Sequence, residues 1–173
     1  TPQDQEGFIR LLGDGSKFGI NLSYVTQPSP DGLAQAFLLG EDFIGQEPCA
    51  MVLGDNIYFG NDFSKLLANA KYNAYQGSAT NFGYAVKDPQ RFGIMELDKN
   101  QNIISVEEKP EHPKSKYAIT GLYFYPDDIV SKAKLVKPSP RGELEITTLN
   151  DMYLQEGRLK AQILGDGFTW FDT

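Results

Sequence analysis

The order of strand-like and helix-like segments is the sequence feature that most constrains the fold. Strand-like residues 20–25 and 50–53 are each followed by residues with helical spacing, at 33–44 and 61–77. Four strand-like pieces then follow one another within residues 78–125. Alternation favours parallel strands flanked by helices, and consecutive strands favour antiparallel pairing. We therefore predict an α/β fold with a mixed, mostly parallel central sheet and a small antiparallel extension.

Several further elements are predicted from local patterns. Thr1 is expected to cap an opening helix, and the apolar run 50–53 is typical of a central strand covered on both faces. Residues 126–135 and 139–157 predict two more helices, and two short strands end the chain.

Composition narrows the class of protein. The 173 residues carry a formal charge of −7, which disfavours nonspecific binding to nucleic acid or anionic lipid. One cysteine and one histidine exclude an internal disulfide and a Cys/His zinc cluster. Without a signal-peptide pattern or a long apolar run, we expect a cytoplasmic protein with no membrane partner.

The two ends of the sequence resemble cuts within a longer chain. The first residue is Thr1, and the last strand-like segment has no terminator. We expect residues 1–173 to form a single domain, truncated at both ends, with an open sheet edge beside the strand that ends at Leu53.

Two aspartates follow predicted strands directly. Asp55 comes after the apolar run in LGDNIYFG, and Asp172 follows Trp170 and Phe171. Ligands of open α/β sheets bind beyond the carboxyl ends of the strands, and paired carboxylates there suit Mg²⁺, water and phosphate oxygens. Ordinary turn chemistry explains the same residues without a metal.

Three other segments carry candidate binding groups. The amide of Gln27 in QPSPDG both donates and accepts, so it matches the imide edge of thymine or uracil, although the loop also reads as a helix start capped by Asp31. Glu108 and Lys109 end a strand, where the carboxylate suits sugar hydroxyls and the ammonium suits a phosphate. A solvent-exposed strand end explains the same two residues without a ligand. Arg141 is expected at a helix start, where it suits a phosphate.

The motifs together resemble one family. QPSPDGLAQA, LGDNIYFG, RFGIMELD, SVEEKP, TGLYFY, RGELEIT and WFDT occur in the order and approximate spacing of bacterial glucose-1-phosphate thymidylyltransferases. The resemblance covers the whole chain and implies the nucleotide-diphospho-sugar transferase fold, which is related to A-type glycosyltransferases.

The resemblance also implies roles for individual residues. By matching motif, Gln27 and Gly32 would bind the thymine, and Asp55 and Asp172 would hold Mg²⁺. Asp55, Lys109 and Arg141 would form the catalytic set. Of these, Lys109 and Arg141 would contact the sugar phosphate. The residues expected to line the sugar are Gly93, Glu108, Ile119 and Gly121, and Trp170 is expected to pack nearby as a further substrate-binding residue. Phe92 departs from the family, many members of which have tyrosine there.

The implied reaction joins dTTP to glucose 1-phosphate and releases pyrophosphate and dTDP-glucose, the first step toward dTDP-rhamnose. A sugar-phosphate oxygen would attack the α-phosphorus in line, with no protein nucleophile. The family's N-terminal glycine-rich loop has no match here, so this stretch alone is expected to be nearly inactive.

Two alternatives remain open: a UTP-using relative, and a noncatalytic nucleotide-sugar-binding or assembly module. The resemblance further implies a homo-oligomer, a tetramer, in the full-length form, with feedback by a later nucleotide sugar of the pathway.

Overall fold

The computed structural model describes residues 2–173, so the expected cap at Thr1 lies outside the described residues. The α-helices span Gln5–Leu12 (α1), Gln35–Leu39 (α2), Glu41–Ile44 (α3), Phe63–Tyr75 (α4), Ile129–Ala133 (α5) and Ile146–Gln155 (α6). The strands span Cys49–Val52 (β1), Asn56–Phe59 (β2), Ala79–Ala85 (β3), Gly93–Leu97 (β4), Ile103–Glu108 (β5), Tyr117–Tyr125 (β6), Leu159–Leu164 (β7) and Thr169–Asp172 (β8). Short 3₁₀ turns span Ser16–Phe18 and Pro89–Arg91.

The larger sheet has six strands and is built around β6. Its order is β5-β4-β6-β3-β7, and β1 also pairs with β6. Since β3 occupies one edge of β6, β4 and β1 share the other edge, with β4 beside Ala118 and β1 beside Tyr125. Strands β2 and β8 form a separate two-stranded sheet.

The predicted α/β class with a mixed sheet is confirmed, but the expected majority of parallel strands is wrong for the described residues. Four of the five pairings in the larger sheet are antiparallel, and β3 with β7 is the parallel one. Strands joined by short loops turn back on their neighbours, whereas a parallel pair needs a long crossover. Helices α5 and α6 lie in the connection between β3 and β7.

Strand β1 is an edge strand, contrary to the prediction of a central strand covered on both faces. Within residues 2–173 it pairs with β6 alone, and Val52 exposes 62% of its surface. The short apolar run therefore gave the right element type in the wrong position, since an apolar run alone does not fix the number of neighbouring strands. The expected open edge beside this strand is present.

Two predictions in the first quarter of the chain are also wrong. Residues 20–25 form no regular strand, and Ile20 and Val25 are 52% and 59% exposed. Their apolar alternation is insufficient because a strand also requires a hydrogen-bonded neighbour. The single helix expected over 33–44 is divided into α2 and α3 at Gly40, whose amide closes the first helix onto the carbonyl of Ala36.

Helices cover both faces of the larger sheet. Tyr123 and Tyr125 of β6 pack in a cluster with buried residues of α2, α5 and α6. Leu122, which points to the opposite face, packs in a second cluster with Ala70 of α4. No helix among residues 2–173 is both long and apolar enough to cross a membrane.

An ion-paired cluster fixes α5 and α6 against the start of β7. The Arg158 guanidinium donates to Asp128 Oδ2 over 2.8 Å, and the Tyr153 hydroxyl donates to Asp128 Oδ1 over 2.7 Å. Arg158 Nε also donates to the Gly77 carbonyl over 2.6 Å. Burial opposes ionisation of Asp128, but these hydrogen bonds outweigh it and hold the pKa of its carboxyl below the ordinary value of 3.8.

Replacing Asp128 with Asn should lower the free energy of unfolding at pH 7 by about 1–3 kcal/mol, the usual range for hydrogen bonds to charged groups. A depressed folded-state pKa stabilises the fold above the ordinary pKa, and this stabilisation is lost as the pH falls through the folded-state value. Urea unfolding from pH 7 down to pH about 3 should therefore show the difference shrinking. The exposed neighbour variant Asp127→Asn is the control, and an equal loss in both variants would contradict the assignment.

Candidate functional site

The two predicted metal-binding carboxylates lie side by side. In the antiparallel pair of β2 and β8, Asn56 is opposite Asp172, which brings Asp172 next to Asp55. The Asn56 side-chain nitrogen donates to Asp55 Oδ1 and to Asp172 Oδ1, each over 2.9 Å. Both carboxylates are solvent-exposed, so one amide orients two anionic groups at the surface.

The oxygen of the same amide connects the pair to two other predicted site residues. Asn56 Oδ1 accepts from the Trp170 indole N–H over 2.7 Å and from the Gly121 backbone N–H over 3.0 Å. Asn56 was not among the predicted site residues. Its position directly after Asp55, at a strand end, could have indicated a role in the site. A side chain there lies at the same edge of the sheet as the Asp55 carboxylate.

Tyr58 supports this amide from the inner side of β2. Its hydroxyl donates to Asn56 Oδ1 over 3.3 Å. Burial is the main reason that the pKa of Tyr58 is raised to about 12, and the charges of Asp172 and Asp55 add to the effect. Tyr58 therefore remains a neutral donor throughout the physiological pH range.

The absence of a side chain at Gly121 leaves the space that Asn56 fills. A Cβ atom there would lie 2.8 Å from Asn56 Cγ, from its Oδ1 and from Leu53 Cδ1. Such distances are well inside van der Waals contact, so any larger residue would displace the amide.

The donor set at this edge fits Mg²⁺ but no all-protein metal cage. Among residues 2–173, no group of three or more His, Cys, Asp or Glu side chains is arranged to hold a metal ion. Mg²⁺ commonly binds through one or two carboxylates and takes its other ligands from water and substrate phosphates. Asp55 and Asp172 supply that smaller set.

Three of the predicted sugar-lining residues meet on the α6 face of the larger sheet. Gly93 of β4 is opposite Glu108 of β5. A Cβ on Gly93 would lie 3.3 Å from Glu108 Oε2 and 3.9 Å from Ile119 Cδ1. The hydroxyl of Thr147, in the first turn of α6, donates to Glu108 Oε2. Sequence reasoning did not select Thr147, although it ends the quoted segment RGELEIT.

Arg141 lies in the loop before α6, and the prediction that it begins the helix is wrong. The helix starts at Ile146, after a non-helical residue 145 with ψ of 135°. The side chain of Arg141 is surrounded by carboxylates: its guanidinium is 2.9 Å from Glu143 Oε1 and 3.6 Å from Oε1 of both Glu108 and Glu145. A cavity of about 450 Å³ opens here, lined in part by Glu108, Arg141, Glu145 and Thr147.

Lys109 differs from Arg141 in its surroundings. Its side chain is exposed, and no ion pair to it occurs between residues 2 and 173. The backbone has a φ of 41°, and its N–H donates to the Phe92 carbonyl over 3.0 Å. Phe92 in turn packs against Trp170 with ring centroids 5.4 Å apart, an apolar contact.

The predicted base-reading residues line a second cavity of about 250 Å³. Gln27, Gly32 and Glu143 contribute to its wall. Gly32 has a φ of 103°, and a Cβ there would lie 2.5 Å from the backbone N and O of Leu144. Because Glu143 pairs with Arg141, this ion pair joins the second cavity to the first.

The Asn56 amide is tested by Asn56→Asp. A carboxylate keeps the two acceptor contacts with Trp170 and Gly121 but cannot donate to Asp55 or Asp172, and it adds a like charge. We expect a loss of about 2 kcal/mol in the free energy of unfolding at pH 7. Urea unfolding measures this loss, with the exposed Asn61→Asp as the matched control. A loss in Asn56→Asp no larger than in the control would contradict the role of the Asn56 amide.

The close approach at Gly121 is tested by Gly121→Ala. The added methyl should cost about 1–3 kcal/mol, since it overlaps Asn56 and Leu53. Gly165→Ala is the control, because a Cβ at Gly165 meets nothing within 4 Å and should change stability by less than about 0.5 kcal/mol. Thermal or urea unfolding distinguishes the two, and equal effects would show that Gly121 is not required sterically.

Comparison with known proteins identifies relatives that match the whole of the chain. The chain is 57% identical to a glucose-1-phosphate thymidylyltransferase of Neisseria gonorrhoeae, with a match over all of this chain and 59% of that protein. It is 51% identical to the protein of that name from Xanthomonas campestris pv. campestris (strain B100), over all of this chain and 58% of the relative.

Two solved structures are similar in fold. A provisionally named glucose-1-phosphate thymidylyltransferase from Bacillus anthracis, in complex with a sucrose, has a TM-score of 0.85 at 38% identity, covering 96% of this chain and 65% of that one. A UDP-glucose pyrophosphorylase complexed with UDP-glucose has a TM-score of 0.72 at 27% identity, and the match covers 87% of this chain and 60% of that one.

The chain thus spans less than two thirds of the length of each of these proteins. A family model described as nucleotidyl transferase matches residues 1–173. With its α/β sheet and the convergence of matched motifs, the chain belongs to the nucleotidyl transferase family.

Proposed function

We propose that the protein to which this chain belongs transfers a thymidylyl group from dTTP to glucose 1-phosphate, giving dTDP-glucose and pyrophosphate. The observation that carries the proposal is the convergence at Asn56, whose amide contacts Asp55, Asp172, Trp170 and Gly121 within 3.0 Å. Four residues expected in metal and sugar binding thereby adjoin one another. The names of the relatives support the same reaction.

The base would bind in the 250 Å³ cavity beside Gln27 and Gly32. The side-chain oxygen of Gln27 accepts no hydrogen bond from residues 2–173, and the backbone N–H of Gly32 donates none to them. An acceptor next to a donor complements the N3–H and a neighbouring carbonyl of a thymine or uracil ring. This pairing would orient the nucleotide toward the ion pair of Glu143 and Arg141.

Asp55 and Asp172 would hold Mg²⁺, which when bound supplies charge neutralisation for the phosphates of the two reactants. Lys109 would meet the sugar phosphate, because its ammonium is exposed and has no carboxylate partner in the part of the chain that the structure describes. Arg141 has three carboxylates around it, so its contact with a phosphate would require release of Glu143 or Glu145.

Glu108 would bind the sugar hydroxyls from the floor of the 450 Å³ cavity. Thr147 donates to one of its oxygens, which leaves Oε1 for the sugar and for Arg141. A sugar-phosphate oxygen would then attack the α-phosphorus in line, and pyrophosphate would leave. Positioning and charge stabilisation account for most of the catalysis in such transfers, so no protein nucleophile is required.

A second candidate uses UTP in place of dTTP. The similarity in fold to the UDP-glucose pyrophosphorylase favours it, and thymine and uracil share the same imide edge. The two bases differ only in the C5 methyl group, which the hydrogen bonds at Gln27 do not contact.

An NMR titration separates the two candidates. We expect dTDP-glucose, added to the labelled 173-residue chain with Mg²⁺, to shift the amide signals of Gln27, Gly32 and Glu108. UDP-glucose should require a higher concentration for the same shifts. Equal or stronger binding of UDP-glucose would favour the uridylyl alternative, and unchanged signals with both compounds would contradict nucleotide-sugar binding by this chain.

The metal assignment is tested by Asp172→Asn. Coupling free energies between ligands commonly correspond to 5–150-fold in affinity, so we expect Mg²⁺ to tighten dTDP binding about tenfold in the unsubstituted chain. The variant should lose most of this enhancement, as measured by calorimetry with Mg²⁺ and with EDTA. Asp166→Asn, an exposed carboxylate in the turn before β8, should retain it. Retention in both variants would exclude Asp172 as a ligand.

A further inference from the structure

We propose that Asp31 and Gln35 form a relay that fixes the orientation of the Gln27 amide and so selects the base; the inference rests on the proposed function. Gln27 Nε2 donates to Gln35 Oε1 over 2.7 Å, and Gln35 Nε2 donates to Asp31 Oδ2 over 2.8 Å. Gln27 lines the base cavity, whereas Asp31 and Gln35 are not among the residues that form its wall. They are positioning residues that act through Gln27.

The direction of the relay follows from the chemistry of a carboxylate. Ionised Asp31 can only accept hydrogen bonds, so Gln35 must turn its NH₂ group toward it. The Gln35 oxygen then points at Gln27, which must therefore turn its own NH₂ group toward that oxygen. A glutamine amide by itself is nearly symmetric in shape, and only its partners decide which end is presented.

Two further contacts strengthen this orientation. The Ser29 hydroxyl donates to the same Oδ2 of Asp31 over 2.5 Å, which holds the carboxylate in place. The Gln27 nitrogen also reaches the Gly32 carbonyl at 3.4 Å, so both of its N–H groups face protein acceptors. The polar atom that Gln27 offers to a ligand is therefore its oxygen, an acceptor.

This polarity defines the class of base that fits. The N3 atom of thymine or uracil carries a hydrogen and donates, whereas N3 of cytosine is an acceptor and would face the Gln27 oxygen with repulsion. Glu143, the charged residue that lines the same cavity, is also an acceptor. The cavity thus favours an imide-bearing pyrimidine over an aminopyrimidine.

The test compares dTDP with dCDP, each titrated with Mg²⁺ into the 173-residue chain by calorimetry. The unsubstituted chain should bind dTDP at least about tenfold more tightly, the discrimination expected from one well-placed hydrogen bond. In Gln35→Met the side chain keeps its length but loses its polar atoms, so the Gln27 amide is free to turn. The ratio of the affinity for dTDP to the affinity for dCDP should then fall to about threefold or less.

A conservative variant separates positioning from mere packing. Gln35→Glu restores an acceptor opposite the Gln27 NH₂ group, so its ratio should exceed that of Gln35→Met although the new charge faces Asp31. Asp31→Asn leaves Gln35 without a fixed partner and should reduce the ratio by itself. Gln46→Met, on the exposed loop after α3, is the matched control and should keep the original ratio.

The outcomes distinguish this inference from the proposed function. If the unsubstituted chain binds neither diphosphate, or binds both equally, the proposed base site fails and the relay fails with it. If it prefers dTDP and Gln35→Met keeps the full ratio, the relay is overturned and the base site stands. Should circular dichroism show that Gln35→Met does not fold, an unchanged ratio in Asp31→Asn overturns the relay, and a reduced ratio supports it.

Discussion

The side-chain amide of Asn56 is the interaction on which the site depends. Both its donor and its acceptor ends are used: the nitrogen binds two carboxylates, and the oxygen binds an indole N–H and a backbone N–H. The two N–H groups that donate to the oxygen come from β6 and β8, and Asn56 itself begins β2. A single neutral group thus attaches the two-stranded sheet to the larger sheet and bridges two carboxylates. An aspartate could replace only the acceptor end, and a leucine of similar size could replace neither end.

Charge is distributed unevenly among the residues of the candidate site. At the end formed by β2 and β8 lie the two exposed carboxylates proposed to hold a cation, through which phosphates would bind. In the 450 Å³ cavity, Arg141 is surrounded by carboxylates, so its charge is largely compensated before any ligand binds. Lys109 retains an uncompensated charge among the described residues. The net charge of −7 is therefore compatible with anionic substrates, because the local pattern decides where each phosphate can lie.

Sequence reasoning succeeded where the signal was local. The helix predicted over 61–77 is α4, Gly77 follows its end, and the four consecutive strands are β3 to β6. Asp55 and Asp172 were placed at strand ends from their immediate neighbours alone, and the structure brings them together through Asn56. These features depend on a few adjacent residues, which a single sequence contains in full.

What the sequence did not predict depends on distant partners. Neighbouring strands decide that β1 lies at an edge and that residues 20–25 form no strand. An apolar pattern does not encode which strands will be neighbours. The loop that carries Arg141 was expected to be the start of a helix. Its backbone instead bonds to a distant loop: the Leu144 N–H donates to the Asp31 carbonyl, and the Leu144 carbonyl accepts from the Ala34 N–H. Thr147 was missed because its partner Glu108 is 39 residues away in sequence. Gln35 was missed although Gln27 is only 8 residues away, because the conformation of the intervening loop sets that contact.

The most direct measurement is an amide correlation NMR spectrum that follows three signals together: the Asn56 side-chain NH₂, the Gly121 backbone N–H and the Trp170 indole N–H. When Mg²⁺ and dTDP-glucose are added, the account predicts that all three shift with the same saturation curve, while the exposed Asn61 side-chain amide stays unchanged. Shifts confined to Gln27 and Gly32, with the three Asn56-linked signals unmoved at saturation, would contradict the claim that this amide couples the carboxylates to the sugar end of the site.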